Sequence, residues 1–518
     1  MKANRGGIRT WDGLSAVAGG WILLACVLVL CGHALAQTSQ SAAAGQQKPA
    51  VQAVKPSSPA EKKTIPVLLL SDIHFEPFWD PSKVPQLAAA PVSEWKVILA
   101  APSSADRQQR FAALQQACHA RGEDTSYPLL ESSLKAARAH AAGAAFATVS
   151  GDLISHGFDC KLNALFPHPA PGDYRAIVEK TVDYVIGELN AALPGVPVYV
   201  ALGNNDSDCG DYRLDAHSQF LADTGREVTR GFPASERESA QESFAAGGYY
   251  GVSLPVSAAN ARLLVLNDIF LSSKYQTCAG KPDPAAGEEQ LAWLRLQLAA
   301  ARATRQRIWV MGHIPPGVDV HATVTKMRDI CGGQRPEMFL SSAKLADELA
   351  EFDDVIELAI FAHTHMDEMH LLKAEGGAAQ PSEPAKSVVV KMVPSISPID
   401  GNAPSFAVAR VDPESAALVD YRVFTASNST GVNATWKEEY DFGQTYHEAE
   451  FTAASVSRLI TGFEADPGAK TDYARSYIRN FIAGTASPLL EFVWPQYICS
   501  LSNYSAEGFK SCLCGGAR

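Results

Sequence analysis

A chain of 518 residues with 47% hydrophobic and 19% charged residues holds enough apolar matter for a large core, and its length allows about two to four domains. The net charge of -12, with no cluster of Lys and Arg, argues against a nucleic-acid polymer as partner. It describes a solvated acidic surface instead.

The N-terminus reads as an export signal. Lys2, Arg5 and Arg9 precede the apolar run WILLACVLVLCGHALA, which closes on small residues at Ala34 and Ala36. That run is shorter than the roughly 20 residues a spanning helix needs. Residues 1–36 are therefore expected to be cleaved, which makes the protein secreted or periplasmic with no integral membrane segment left. Residues 37–63, rich in Ala, Gln, Ser, Pro and Lys, read as a flexible linker.

From Ile65 a pattern recurs in which a short apolar run leads into a polar cluster. IPVLLL leads into SDIH, AFATV into SGDLISH, VPVYVA into LGNND, RIWVM into GHIPP, and IELAIF into AHTHMD. Such runs, bounded by Gly and Pro, predict buried strands of a covered sheet. Helical spacing marks the stretches between them, at 127–143, 175–193 and 288–303. Three further runs, KSVVVKMV, SFAVARVD and ALVDYRVF, follow without helices. The expectation is an α/β fold, a layered β-sandwich flanked by helices, over residues 64–425. Residues 426–518 are expected to form a mostly helical, cysteine-containing C-terminal subdomain.

Each of the first five runs ends in a residue type that binds metal: Asp72 and His74, Asp152, Asn204, His313, then His363 and His365. One such cluster is a common loop. Five in order, each directly after a buried strand, are poorly explained by chance. The ends of neighbouring strands share one rim, where α/β sheets bind ligands. Imidazole with carboxylate and amide oxygen suits zinc, manganese or iron better than calcium, and zinc is the first expectation.

SDIH, SGDLISH, GNND, GHIPP and AHTHMD resemble the five motifs of the calcineurin-like metallophosphoesterases. GHIPPG, HTHMDE, VPSISP and the tail YICSLSNYSAEGFKSCLC are most similar to the acid sphingomyelinase and acid-sphingomyelinase-like phosphodiesterase branch. The resemblance implies two divalent ions. Asp72, His74 and His365 would hold one, Asn204, His313 and His363 the other, and Asp152 would bridge them. It implies hydrolysis of a phosphodiester, of sphingomyelin type or a nucleotide, by a metal-bridging hydroxide, with a small phosphodiester or phospholipid head group as substrate. GNND also resembles endopolyphosphatases, so phosphoanhydride hydrolysis is the alternative. A non-catalytic binding protein on the same fold is the alternative of another class. The oligomeric state stays open.

The sequence departs from the family pattern twice. Ala362 replaces the usual glycine before HTH, which matters if that backbone needs a positive φ. Asn205 stands where the family has a histidine that touches phosphate and helps the leaving group, with Asp206 retained beside it. An amide can donate a hydrogen bond to phosphate but cannot deliver a proton. His156, which matches a second family histidine, becomes the expected general acid, with Asn205 and Asp206 as the other catalytic candidates.

Eight cysteines follow the signal, an even count that favours disulfides in an exported chain. Cys512 and Cys514 are too close to bridge each other easily. The resemblance implies a Cys278–Cys331 pair, and a Cys160–Cys209 bridge would tie two site loops together.

Overall fold

Apolar runs such as Val67–Leu70 are buried along their whole length because both faces of their sheet are covered. In the computed structural model of the protein, residues 63–166, 172–256, 260–373, 387–483, 490 and 492–515 are described. The expected signal peptide, and the expected linker up to residue 62, lie outside the described residues.

The strands of the first half are β1 (Ile65–Leu70), β2 (Ala147–Ser150), β3 (Val198–Ala201), β4 (Tyr250–Ser253), β5 (Ala261–Val265) and β6 (Arg307–Met311). They are followed by β7 (Ile356–Phe361), β8 (Glu368–Lys373), β9 (Ser387–Met392), β10 (Ser405–Val411), β11 (Leu418–Ala426) and β12 (Trp436–Asp441). They form two six-stranded sheets, ordered β12-β11-β10-β1-β2-β3 and β4-β5-β6-β7-β9-β8. In the first, β1, β2 and β3 run parallel, and β10 adds antiparallel to β1. In the second, β5, β6, β7 and β9 run parallel, with β4 and β8 antiparallel at the edges. The mixed topology sends the C-terminal ends of β1, β2, β3, β6 and β7 toward one rim.

The sheets meet through a continuous apolar core. Phe146 at the start of β2 packs edge-on against Trp309 of β6, with ring centroids 5.5 Å apart. The buried Trp309 indole satisfies its N–H by donating to the Ala416 carbonyl, 2.8 Å away. The three expected helices are present as Tyr127–His140, Asp173–Ala192 and Ala285–Thr304. Ser126 caps the first through the Leu129 N–H, with Pro128 in its first turn.

Residues 436–441, in a stretch expected to be mostly helical, form the edge strand β12. Pairing with β11 overrides local preference there, and Trp436 covers the Phe406 ring at 5.3 Å. Helices follow, including Ala453–Glu464, Asp472–Phe481, Trp494–Ser500 and Ala506–Gly515. Among the described residues no helix is long and apolar enough to cross a membrane.

Four disulfides join the described cysteines: Cys118–Cys160, Cys209–Cys278, Cys331–Cys514 and Cys499–Cys512. Both expected pairings are corrected. Cys278 meets Cys209 rather than Cys331, because the segment before it runs beside the loop after β3. Gln276 N–H donates there to the Tyr212 carbonyl at 3.0 Å, and Leu214 N–H to the Gln276 carbonyl at 3.1 Å. Cys160 meets Cys118, on the helix Arg107–Ala117's C-terminal side, rather than Cys209. Cys331 is left to the C-terminal helix, across 183 residues of sequence. Such a set forms in an oxidising, non-cytosolic compartment.

Candidate metal centre

Three of the five strand tips, those of β1, β2 and β7, turn their ligands with a left-handed kink. Asp72, His74, Asp152, His363 and His365 all have positive φ, between 43° and 71°. A residue with a Cβ pays about 1–3 kcal/mol for such a backbone, which persists only where the surroundings over-determine it. Here they do. Asp72 N–H donates to the Gly151 carbonyl at 3.0 Å and His74 N–H to that of Asp152 at 2.9 Å. The VPSISP segment adds Ser397 N–H and the Ser395 hydroxyl, both donating to the Asp72 carbonyl, at 3.0 and 3.1 Å. Ala362 is outside the positive-φ set, so its replacement of glycine costs no backbone strain. Gly203 does need its missing side chain: a Cβ there would lie 2.1 Å from Asp152 Oδ1.

The predicted ligands converge. Asp152 Oδ2 lies 3.4 Å from His74 Nε2 and 3.2 Å from His313 Nε2. On one side of it, His74 Nε2 and His365 Nε2 are 3.1 Å apart, with Asp72 Oδ1 3.5 Å from His365 Nε2. On the other, His313 Nε2 is 3.2 Å from both Asn204 Oδ1 and His363 Nδ1. Asp72, His74, Asp152 and His313 are buried to within 1% of their surface.

The chemistry of this donor set fits cations. Both Asp72 carboxylate oxygens are buried without a hydrogen-bond partner. His74 Nδ1 is engaged by the Ile154 carbonyl at 3.0 Å and His313 Nδ1 by that of Ser150 at 2.7 Å. A carbonyl only accepts, so each Nδ1 carries the proton and each Nε2 turns a lone pair into the cage. Lone pairs and carboxylates meeting at such distances need positive charge between them. Protons compete for the same lone pairs. Burial opposes charge on His74 and His313, yet Asp152 and its neighbours push them up to about 9 and about 10. Burial likewise would raise the Asp152 carboxyl, but the His313 and His74 rings hold it well below the usual range. Burial keeps His365 neutral, at about 4, and His363 also well below the ordinary imidazole value.

The other candidates fall in different places. His156 lines the pocket above the cage and stacks on His74, with ring centroids 4.0 Å apart. Its Nδ1 is 3.1 Å from Asp124 Oδ1, and its backbone N–H donates to Asp124 Oδ2 at 2.9 Å. Asn205 and Asp206 do not line the pocket. Asn205 donates from Nδ2 to Asp152 Oδ2 and from its backbone N–H to Asp152 Oδ1, both at 2.9 Å. Asp206 accepts from the N–H groups of Leu153, Ile154 and Gly203, tying the loops after β2 and β3 together.

Sequence reasoning missed four supporting residues. Asp124 orients His156 and also accepts from the Ser397 hydroxyl at 2.9 Å. Burial would raise its carboxyl, but His156, Lys161 and His74 hold it well below the usual range. Asp268 accepts from the His313 and Ile314 N–H groups at 2.8 and 3.0 Å. It follows the apolar run ARLLVL, so the same strand-then-acid signal could have found it. Tyr212 Oη faces His363 Nε2 at 3.1 Å, and Asp400 Oδ2 lies 3.5 Å from His365 Nδ1. Neither carries a sequence signal. The cage opens into a cavity of about 350 Å³ whose wall includes Phe481, Tyr497 and Ser500 of the C-terminal helices.

Comparison with known proteins places this geometry. The calcineurin-like phosphoesterase family matches residues 65–367. The chain is similar to sphingomyelinase phosphodiesterase C of Dictyostelium discoideum, 22% identical over 75% of this chain and 82% of that one. It is similar to acid sphingomyelinase-like phosphodiesterase 3b of Mus musculus, 23% identical over 86% and 89% of the two chains. A cyclic GMP-AMP phosphodiesterase of Homo sapiens is 23% identical over 67% and 73%. With the matched family spanning every strand tip of the cage, the chain belongs to the calcineurin-like phosphoesterases, hydrolases of phosphoric ester bonds that work with divalent metal ions.

Proposed function

We propose that the protein is an exported dimetal phosphodiesterase acting on a small phosphodiester, either a sphingomyelin-type head group or a nucleotide. The observation that carries this is Asp152 Oδ2, set 3.4 and 3.2 Å from imidazole nitrogens of two separate ligand groups at the floor of an open pocket. Asp72, His74 and His365 would hold one ion and Asn204, His313 and His363 the other, with Asp152 shared between the two groups. Imidazole and carboxylate donors favour zinc, then manganese or iron. Ions held there would supply an activated water and neutralise phosphoryl oxygens.

The chain's own residues supply the rest. The anionic Asp152 would offset the repulsion between two cations held on either side of it. Asn205 fixes that carboxylate through both of its oxygens. Asp124 engages Nδ1 of His156, a pocket-lining residue, which leaves Nε2 as the nitrogen free to act on substrate. From there it hands a proton to the departing alkoxide. The acid role moves to His156 because the Asn205 amide is spent on Asp152 and has no proton to transfer.

Phosphoanhydride hydrolysis is the second reading. It is favoured by Asn205 itself, since a phosphate leaving group needs no acid. Secretion or a periplasmic location is supported by the four disulfides. The test is a screen of choline phosphodiesters, nucleotide diesters and polyphosphate with chelator-treated and metal-restored enzyme. Metal-dependent release from a diester supports the reading, and turnover of polyphosphate alone replaces it with the second.

A further inference from the structure

Two basic side chains reach the pocket, and each stands one residue away from a ligand histidine. Arg121 Nη1 is 3.6 Å from Asp400 Oδ1, and Asp400 Oδ2 is 3.5 Å from His365 Nδ1. Lys274 Nζ is 3.4 Å from Tyr212 Oη, which lies 3.1 Å from His363 Nε2. The cations therefore bracket the cage, Arg121 on the Asp72 side and Lys274 on the Asn204 side. A disulfide secures each position. Cys118–Cys160 ties the segment before Arg121 to the helix after His156. Cys209–Cys278 ties the segment after Lys274 to the loop after Asn204.

The two relays differ in charge. Asp400 is an acid and offsets Arg121. Tyr212 is a phenol and cannot offset Lys274, whose ammonium sits 4.9 Å from the Tyr212 ring centroid. Asp211, the carboxylate of the same wall, accepts from Asn204 Nδ2 at 2.7 Å. Among the described residues no carboxylate lies within 4 Å of the Lys274 ammonium, and Asp211 acts on it only from farther off. An ammonium on a flexible stem, held at the mouth of an acidic protein's phosphoryl site, is suited to a phosphate oxygen.

We propose that Lys274 determines specificity by holding a second phosphate group, which the substrate carries beyond the scissile phosphoryl on the His363 side of the cage. This rests on the dimetal phosphoesterase reading of the site and favours its phosphoanhydride branch. It names substrates with adjoining phosphates, whether a nucleoside polyphosphate or an inorganic one.

The test compares kcat/KM of the metal-loaded wild type, Lys274→Ala and Lys274→Arg on bis(4-nitrophenyl) phosphate, ATP and inorganic tripolyphosphate. The expected result is that Lys274→Ala loses about tenfold more on the two polyphosphates than on the nitrophenyl diester, mainly in KM, and that Lys274→Arg recovers most of it. A selective loss on ATP alone identifies the nucleotide as the source, and one on tripolyphosphate alone identifies the inorganic chain. Equal losses on all three substrates, or no turnover of either polyphosphate beside turnover of the diester, overturn the proposal. Calorimetry gives an independent readout: wild type should bind methylenediphosphonate more tightly than methylphosphonate, and Lys274→Ala should lose that preference. Should wild type cleave none of the three substrates, the phosphoesterase reading fails, while the calorimetry still decides the role of Lys274.

Discussion

Asn205 Nδ2 donates to Asp152 Oδ2 at 2.9 Å, the same oxygen that lies between His74 and His313. The residue that departs most from the family pattern thus acts on the bridging carboxylate. Supporting groups of this kind typically tune metal affinity 10- to 100-fold. Asn205→Ala should therefore weaken metal binding by about tenfold, measured by competition with a chelator, and lower kcat equally for good and poor leaving groups. A loss confined to poor leaving groups would restore an acid-like role to this position.

His156→Ala should separate substrates by leaving group. Turnover of alkyl phosphodiesters should fall about 100-fold, while nitrophenyl diesters, whose leaving group needs no proton, should change by less than about fivefold. Asp124→Asn should show the same split more weakly, because it releases Nδ1 of His156 from its carboxylate partner. Equal losses on both substrate types would remove His156 from proton transfer.

Glu439 gives the fold a pH dependence of its own. Both its carboxylate oxygens are buried without a partner, and burial together with nearby Asp367 raises its pKa from 4.5 to about 8. Between those values the folded state binds more protons than the unfolded one, so this contribution is fully present at acid pH and is lost as pH rises through about 8. Glu439→Gln should remove about 1–3 kcal/mol of that decline. Urea midpoints for both proteins at pH 5 and pH 8.5 measure it. Parallel shifts in the two would contradict the assignment.

The disulfides make a claim that needs no activity. Peptide mapping of unreduced protein should recover Cys209–Cys278 and Cys331–Cys514. Removing the latter by paired Ser substitution should cost about 2–5 kcal/mol of stability, since it closes a long loop. Recovery of Cys278–Cys331 peptides would contradict the arrangement of both site walls.

The five parallel strand tips were legible because two local signals coincide there. A run such as Val198–Ala201 is apolar on both faces, and a residue able to bind metal, Asn204, follows within three positions. Edge strands lack that signature. β12 alternates weakly and β4 contains a glycine, so neither shows from its own composition. The supporting shell was hidden for another reason. Asp124 reaches His156 across 32 residues and Tyr212 reaches His363 across 151, contacts that only the folded sheets create. Cysteine pairing depends on the same long-range geometry, which is why proximity to a site loop misassigned Cys160 and the family resemblance misassigned Cys278.

Metal stoichiometry by elemental mass spectrometry on the purified wild type and on Asp152→Asn tests the shared cage most directly. Wild type should carry about two transition-metal ions per chain, and replacing the one carboxylate common to both halves should lose both together. A fully folded, metal-free wild type that still hydrolyses phosphodiesters would contradict it.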